Sequence, residues 1–414
     1  MRVAVVLGMI VGLCSLTVGC RTPMPVRPSV PETALPVSDR QIPPFDVSAI
    51  TSPASLGSAN PLPPVGYYRL TAEECRRLAC ENSSLGNLIE AGAVSRPRGP
   101  ILSQCACTAI DSLRMSTGQY LSQEARNRTA GSALALYYKL LELELKSDVL
   151  GSSIFQLDQL MKDNEKLIET GFKQTMDGFE LKKQRLDLEA DRTRLRSGIA
   201  RLNAELKSLL AIDTGAQGFL LPADQVYVVP DPLDPEQAVQ LGLMLRADLN
   251  LLRTLANTID HRTLHAVRKA LVGLAPPLAA VVQATEQIVP ALLPFVSAMA
   301  KAEVAAVRGQ ILGLLRDRER EAAKEIRMVS EEWTTARELV AIARQRFELN
   351  SGNVAELEKK SKVGQAVELE LRKARLELLK AEAELVGEVI KWKLADVKAR
   401  ETMGLLCGGH CGSE

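Results

Sequence analysis

Residues 181–210 read LKKQRLDLEADRTRLRSGIARLNAELKSLL, and the spacing of the apolar residues in this stretch is the main indication of the fold. Leucine, isoleucine and two arginines recur at alternating intervals of four and three, at Leu181, Arg185, Leu188, Arg192, Leu195, Ile199, Leu202, Leu206 and Leu209. Heptad spacing of this kind keeps one stripe of a helix against a partner helix. The stretch therefore predicts a long helix packed along a second one.

The predicted partner is an outbound arm that starts at Ser132. Its apolar positions are Leu134, Tyr138, Leu141, Leu145, Val149, Leu157, Leu160 and Leu167. Between the arms, residues 169–178 read ETGFKQTMDG, and the two glycines allow the backbone to reverse. Arms of about 40–50 residues are about 60–75 Å long at about 1.5 Å per residue. Such a hairpin spans a distance that no ordinary globular domain needs.

The second half of the chain repeats this hairpin. Its outbound stripe is Ile326, Val329, Trp333, Ala336, Val340, Ala343 and Phe347, and we expect a turn at Asn350, Ser351 and Gly352. The return arm carries two neighbouring stripes. One is Leu369, Arg372, Leu376, Leu379, Ala383, Val386, Ile390, Lys393 and Val397, and the other is Leu371, Ala374, Leu378, Ala381, Leu385 and Trp392. Two stripes predict a helix with two partners, as in a sheet or tube of helices.

Each half also opens with a short helix signal. Thr71 and Asp234 are the predicted N-caps, 163 residues apart, and Pro235 takes the first helical position. No proline occurs in 101–221 or 295–414, which agrees with long helices there. We therefore interpret the chain as an internal duplication with an all-α fold of long antiparallel coiled-coil hairpins and little or no β structure.

The first 66 residues predict a lipid anchor and a tether. Residues 1–20 have a short basic head and an apolar run, and they end in LTVGC, which is similar to a lipobox with Cys20 as the acylated residue. The alternative is an ordinary cleaved signal peptide in which Cys20 has no role. Residues 21–66 contain eleven prolines and no apolar period, which favours an extended tether.

The boundaries predicted from these patterns are a signal peptide at 1–20, a tether at 21–66, a first repeat at 67–221, a linker at 222–232, a second repeat at 233–406 and a tail at 407–414. Charge is balanced, with 51 Lys and Arg against 50 Asp and Glu, so a nucleic-acid partner is not expected. No triad, phosphate loop or catalytic carboxylate pair stands out. We expect neither an enzyme nor a cofactor.

Six cysteines remain beyond the signal peptide and are candidates for disulfides: Cys75, Cys80, Cys105, Cys107, Cys407 and Cys411. Six cysteines allow fifteen connectivities, and the sequence does not choose among them. Pairing of the first two with the next two and a loop between Cys407 and Cys411 are two possibilities, and buried free thiols are the alternative. The tail and the pair His261 and His265 carry metal-ligand residue types. Neither has a complete ligand set, so no metal site is predicted.

Several motifs together resemble the TolC family of outer-membrane efflux proteins. They are LTAEECRRLA at 70–79, the pair Tyr137 and Tyr138, KLIETG at 166–171, RFELNSG at 346–352, and RADL at 246–249, which is similar to the family's RPDL. The resemblance covers roughly residues 67–406. It implies a homotrimer that closes a twelve-helix periplasmic tube, with four membrane strands per chain.

The resemblance also implies partners. The turns at Thr170, Gly171 and Phe172 and at Asn350, Ser351 and Gly352 are the expected docking tips for a periplasmic adaptor and, through it, an inner-membrane pump. A plain helix–helix turn is the alternative. Acylated Cys20 would place the chain at the cell outer membrane, with its body in the periplasm.

The sequence departs from the family where membrane strands are due. Residues 84–118 and 270–300 show no sustained alternation, and the strand-like run Val226–Val229 belongs to the linker. We interpret residues 278–300 as a helical turn or hairpin that packs on the body or dips into the membrane face. The predicted function is an efflux or export conduit. The alternatives are a scaffolding lipoprotein that binds partners through its coiled coils and, more distantly, a metal or redox module.

Overall fold

The structure, a computed structural model, describes residues 67–94, 104–169, 177–212, 218–224, 234–261, 263–264, 266–268, 271, 296–363 and 368–407. The predicted signal peptide, the predicted tether, the strand-like run at 226–229 and residues 278–295 of the segment 278–300 lie outside these ranges. The side chains of 104–109 and 296–300 are likewise not described.

The two predicted openers are confirmed. Strand β1 (Tyr67–Leu70) leads into helix α1 (Ala72–Glu81), whose N-cap Thr71 forms a capping box with Glu74. In the second repeat, Asp234 caps helix α5 (Pro235–Leu245), and its side chain accepts a hydrogen bond from the backbone N–H of Glu236. The sequence position of each cap residue thus sets where the helix begins.

A second short helix follows each opener, and then a long pair. The first repeat continues with α2 (Ser84–Val94), α3 (Gln104–Glu169) and α4 (Gly178–Leu210). The second repeat continues with α6 (Ala247–Thr258), α7 (Val296–Lys362) and α8 (Glu368–Thr402). The all-α prediction is confirmed. Helix α3 has 66 residues and begins well before the predicted start at Ser132. Gly118 and Gly131 lie inside this helix and do not interrupt it.

The predicted heptad stripes are the packed stripes. Every predicted position of α4 from Leu181 to Leu209 is buried or partly buried, and so is every predicted position of α7 from Ile326 to Phe347. On α8, both predicted stripes are covered: one packs on α3 and the other on α7. Trp333 and Trp392 illustrate the second contact, with ring centroids 5.8 Å apart.

The predicted turn at Asn350, Ser351 and Gly352 is wrong. Helix α7 runs through these residues to Lys362, and the return helix α8 begins at Glu368. The reason is that the heptad stripe does not stop at Phe347. It continues through Asn350 to Val354 and Leu357, which pack against Leu371, Ala374 and Leu378 of α8.

The described part of the stretch 84–118, where the resemblance implies strands, is helical: it forms α2 and the start of α3. The β structure of the described residues is one parallel pair, β1 with β2 (Phe219–Pro222), in which Tyr67 is opposite Phe219. This pair was not predicted. It joins the start of the first repeat to the segment that follows α4.

The four long helices form one layer. In spatial order they are α4, α3, α8 and α7, so that α3 and α8 are central and α4 and α7 are the edges. Along the N-terminal parts of α3 and α7, α2 lies on α3, and α6 lies between α3 and α7. The apolar core is correspondingly a row of separate clusters between neighbouring helices.

Candidate functional site

The first candidate surface is the free edge of α4. A stripe on its exposed side consists of Phe179, Lys183, Leu186, Ala190, Thr193, Ser197, Ala200 and Ala204. The two residues with positive φ, Ala211 after α4 and Gly404 after α8, are 193 residues apart and align the two return helices. With this offset, the exposed stripe of α4 corresponds to the stripe of α8 that packs on α3, from Arg372 to Val397.

Burial shows the difference between the two equivalent stripes. Leu186 is 62% exposed, whereas its counterpart Leu379 is 7% exposed. The α8 stripe has a partner inside the chain, and the α4 stripe lacks the equivalent partner among the described residues. The outbound helix α3 of the other repeat covers the α8 stripe, and the helix equivalent to α3 in the second repeat is α7.

The free edge of α7 has matching properties. It exposes Met328, Leu339, Ile342 and Leu349. Helices α3 and α7 end at Glu169 and Lys362, again 193 residues apart, so Ile342 corresponds to Val149 of α3. Ile342 is 48% exposed and Val149, which lies on the α3 stripe facing α8, is 8% exposed. Each edge therefore resembles a face that is packed inside the chain.

The hairpin ends are the second candidate surface. Thr170, Gly171 and Phe172 lie outside the described residues. Asn350, Ser351 and Gly352 lie inside α7, about two to three turns before its end, so they are not at the tip of the hairpin. The described residues that flank the two ends include exposed apolar side chains: Ile168, Phe179 and Val363.

The opposite end contains a disulfide that was not predicted. Cys80 of α1 is bonded to Cys407, with their Cα atoms 5.9 Å apart. The neighbouring Leu406 is held on both sides, because its N–H donates to Asn127 Oδ1 at 3.0 Å and its carbonyl accepts from the Arg76 guanidinium. The C-terminal turn is therefore clamped to both α1 and α3.

This bond corrects the predicted pairings. Cys407 does not form a loop with Cys411, and Cys80 does not pair with Cys105 or Cys107. The partners are 327 residues apart in sequence, and only packing of the end of α8 on α1 brings them together. Cys75 is a free, buried thiol. The side chains of Cys105, Cys107 and Cys411 are not described. Among the described residues no group of three metal-ligand side chains forms.

A buried polar contact near β1 was missed by the sequence analysis. The Tyr137 hydroxyl donates to Asp224 Oδ2 at 2.9 Å and lies 3.1 Å from the Leu70 carbonyl oxygen, and Asp224 also accepts from the Ala72 N–H. Burial, then the Asp224 charge, raises the pKa of Tyr137, and the same two causes raise the pKa of Cys75 to about 12. Both groups therefore stay protonated and structural.

One carboxyl group of α8, that of Glu382, is buried and forms no ion pair among the described residues. Glu382 lies between the two packed stripes of the helix, and burial raises its pKa to about 7. On α3, burial also raises the pKa of Glu144 and of Asp148. The Asp148 charge, one turn along the helix, adds to the raised pKa of Glu144. These three acids do not assemble a nucleophile, a base and an oxyanion donor.

Comparison with known proteins identifies the fold. No family model matches the sequence, and no curated protein matches it. Among solved structures, the Campylobacter jejuni CmeC outer membrane channel is 11% identical, with a TM-score of 0.51 over 80% of this chain and 85% of that one. The outer-membrane channel OprN is 12% identical, with a TM-score of 0.52 over 87% and 91%.

CusC, a protein that forms a transmembrane channel, is 13% identical. Its TM-score is 0.51, over 88% of this chain and 96% of the CusC chain. The chain has the TolC-like fold. At these identities the likeness concerns architecture, and it extends over most of each chain. In the part of the TolC-like fold that the structure describes, no helix is both long and apolar enough to cross a membrane.

Proposed function

We propose that this chain is a component of an outer-membrane efflux or export system. Several copies would close a helical conduit in the periplasm through which cargo passes without covalent chemistry. The observation that carries the proposal is the open four-helix layer of a TolC-like fold, whose two edges each resemble a face that is packed inside the chain.

The unlike edges support a ring of copies as the kind of assembly. An α4 edge that meets an α7 edge is a heterologous contact, and repeated heterologous contacts close a ring when the rotation allows it. Within one chain, a rotation relates the first repeat to the second. Because α4 is equivalent to α8, we expect a similar rotation to relate one copy to the next. The resemblance to the TolC family supports three copies, which gives twelve long helices around the ring.

The remaining partners are part of the proposal. Acylated Cys20 would anchor each copy at the outer membrane through the tether 21–66. The hairpin ends would dock a periplasmic adaptor and, through it, an inner-membrane pump. With α7 longer than predicted, the second docking tip would be the α7–α8 end of the second hairpin, beside Val363, and Asn350, Ser351 and Gly352 would lie on the wall of the conduit. Exposed Phe179 and Val363 supply apolar contact area beside the tips.

Native mass spectrometry of the mature, lipidated chain in mild detergent tests the proposal. We expect a trimer, because four helices from one chain do not enclose a channel. A monomer across the accessible concentration range would contradict the conduit. The trimer would then be reconstituted into planar bilayers, where a conduit gives discrete conductance steps.

One observation favours a second function. The described residues of 84–118 are helical where the resemblance implies membrane strands. A scaffolding lipoprotein would keep the long hairpins and bind envelope partners without conducting. An assembly that shows no conductance in bilayers, yet is recovered with envelope proteins after cross-linking in cells, would favour this alternative.

A further inference from the structure

Helix α2 has an apolar side that nothing among the described residues covers. Leu85 and Leu88 are exposed on it, and at Gly92 a Cβ would meet no atom within 4 Å. The opposite side of α2 packs very closely on α3, since a Cβ on Gly118 would lie 2.2 Å from the Ala93 Cβ. The helix is thus fixed on one side and open on the other.

The second repeat shows what such a helix does when both sides are covered. The N-caps Thr71 and Asp234 are 163 residues apart, and with that offset Leu88 corresponds to Leu251 of α6. Leu88 is 71% exposed, whereas Leu251 is 1% exposed. Helix α6 packs on α7 of its own repeat and also on α3 of the other repeat, through Leu113, Tyr120 and Leu121.

The α7 surface equivalent to that α3 contact is open. With the offset of 193 residues between α3 and α7, Leu113 to Leu121 corresponds to residues 306–314. On this stretch Val307 and Ile311 face the α6 cluster, while Gly309, Leu312 and Gly313 are exposed. A Cβ on Gly309 or Gly313 would meet no atom within 4 Å. The surface has room for large side chains from outside.

We infer that Leu85 and Leu88 of α2 pack on the surface around Gly309 and Leu312 of α7 in a neighbouring copy. This contact between two chains would be equivalent to the contact between α6 and α3 within one chain. It rests on the proposed function and extends it, because it continues the α4-to-α7 contact to the end of the assembly remote from the tips. Large side chains on one face and glycines on the other permit close helix approach.

Cysteine cross-linking tests the contact between chains. The variants L88C and G309C, each with a different affinity tag, are co-expressed as full-length lipidated chains and treated with a short bis-maleimide. We expect a product that contains both tags. An effective concentration in the millimolar range for neighbouring thiols should raise its yield about tenfold over the control pair L88C and Q310C. Gln310 is exposed, and its side chain is rotated by about 100° from Gly309.

Each outcome is decisive when native mass spectrometry is run in parallel. Linked tags in a multi-copy assembly support the inference. In the double variant L88C/G309C, a link within a single chain would overturn it, because α2 would then cover its own α7. An intact assembly with no excess over the Q310C control would also overturn it, and would leave the proposed function standing. A monomeric chain would overturn both.

Discussion

At the scale of single residues, Asp224 holds together groups from three parts of the first repeat. It accepts from Tyr137 of α3 and from the backbone of α1, while the Leu70 carbonyl of β1 lies beside the same hydroxyl. Tyr137 and Leu70 are buried and Asp224 is half-buried, so the hydrogen bonds among these groups are partly shielded from water. We therefore expect the Tyr137 hydroxyl to contribute measurably to the stability of the fold.

We expect Tyr137→Phe to lower the free energy of unfolding by about 1–3 kcal/mol, because the variant loses a hydrogen bond to the Asp224 carboxylate. Urea unfolding followed by circular dichroism measures it. Tyr68→Phe is the matched control, because Tyr68 is exposed and should change stability by less than about 0.5 kcal/mol. Equal effects of the two variants would contradict a structural role for the Asp224 contact.

Glu382 makes stability depend on pH. Its pKa in the folded chain is raised to about 7 by burial, so between the unfolded pKa near 4.5 and pH 7 the folded state binds more protons. Stability from this group is therefore complete below about pH 4.5 and is lost as the pH rises through 7. We expect Glu382→Gln to be more stable than the parent chain at pH 8, by about 1–3 kcal/mol, with the difference shrinking towards pH 5.

Urea unfolding of both proteins at pH 5 and pH 8 measures this. Glu377→Gln on the exposed side of α8 serves as the control, with an expected change below about 0.5 kcal/mol at both pH values. A Glu382→Gln advantage that grows as the pH falls would have the wrong sign and would exclude the argument.

At the scale of elements, the second hairpin shows how a stripe overrides a turn signal. Asn350, Ser351 and Gly352 are residues that favour turns, yet the stripe through Val354 and Leu357 keeps them helical. The apolar contacts with α8 outweigh the helix-propensity penalty of Gly352, which is about 1 kcal/mol relative to alanine.

Gly352→Ala distinguishes a helix from a turn by the sign of its effect. In α7 the new Cβ meets nothing within 4 Å, so we expect the variant to be more stable by about 0.5–1 kcal/mol. Gly404→Ala is the opposite case, because Gly404 has a φ of 79° and Leu245 O would lie 3.3 Å from the new Cβ. It should be less stable by about 1–2 kcal/mol. Thermal unfolding measures the change in stability of both variants. A loss of stability in Gly352→Ala would contradict a helix at this position and favour a turn.

At the scale of the whole molecule, the proposed assembly depends on the exposed α4 stripe. We expect the pair Ala190→Arg and Ala200→Arg to convert the trimer to monomers, since two long cations cannot pack against the apolar edge of α7. Gln184→Arg adds the same charge type on the side of α4 away from the stripe and should leave the assembly intact. Native mass spectrometry measures both. A trimer that survives the double substitution would place the contact elsewhere.

Much of this architecture follows from local information in the chain. The heptad stripes of α4, α7 and α8 and the caps at Thr71 and Asp234 are properties of residues a few positions apart, so spacing alone reveals them. The two stripes of α8 even indicate a helix with two neighbours. Short-range periodicity is what specifies a long helix and its packed side.

Contacts between distant segments are different. The bond from Cys80 to Cys407, the Asp224 contact and the pairing of β1 with β2 unite residues that have no sequence signal in common. The extension of α7 to Lys362 depends on the surface that α8 supplies for Val354 and Leu357. In each case two segments compete for burial and hydrogen bonds, and the outcome exists only once the chain has folded.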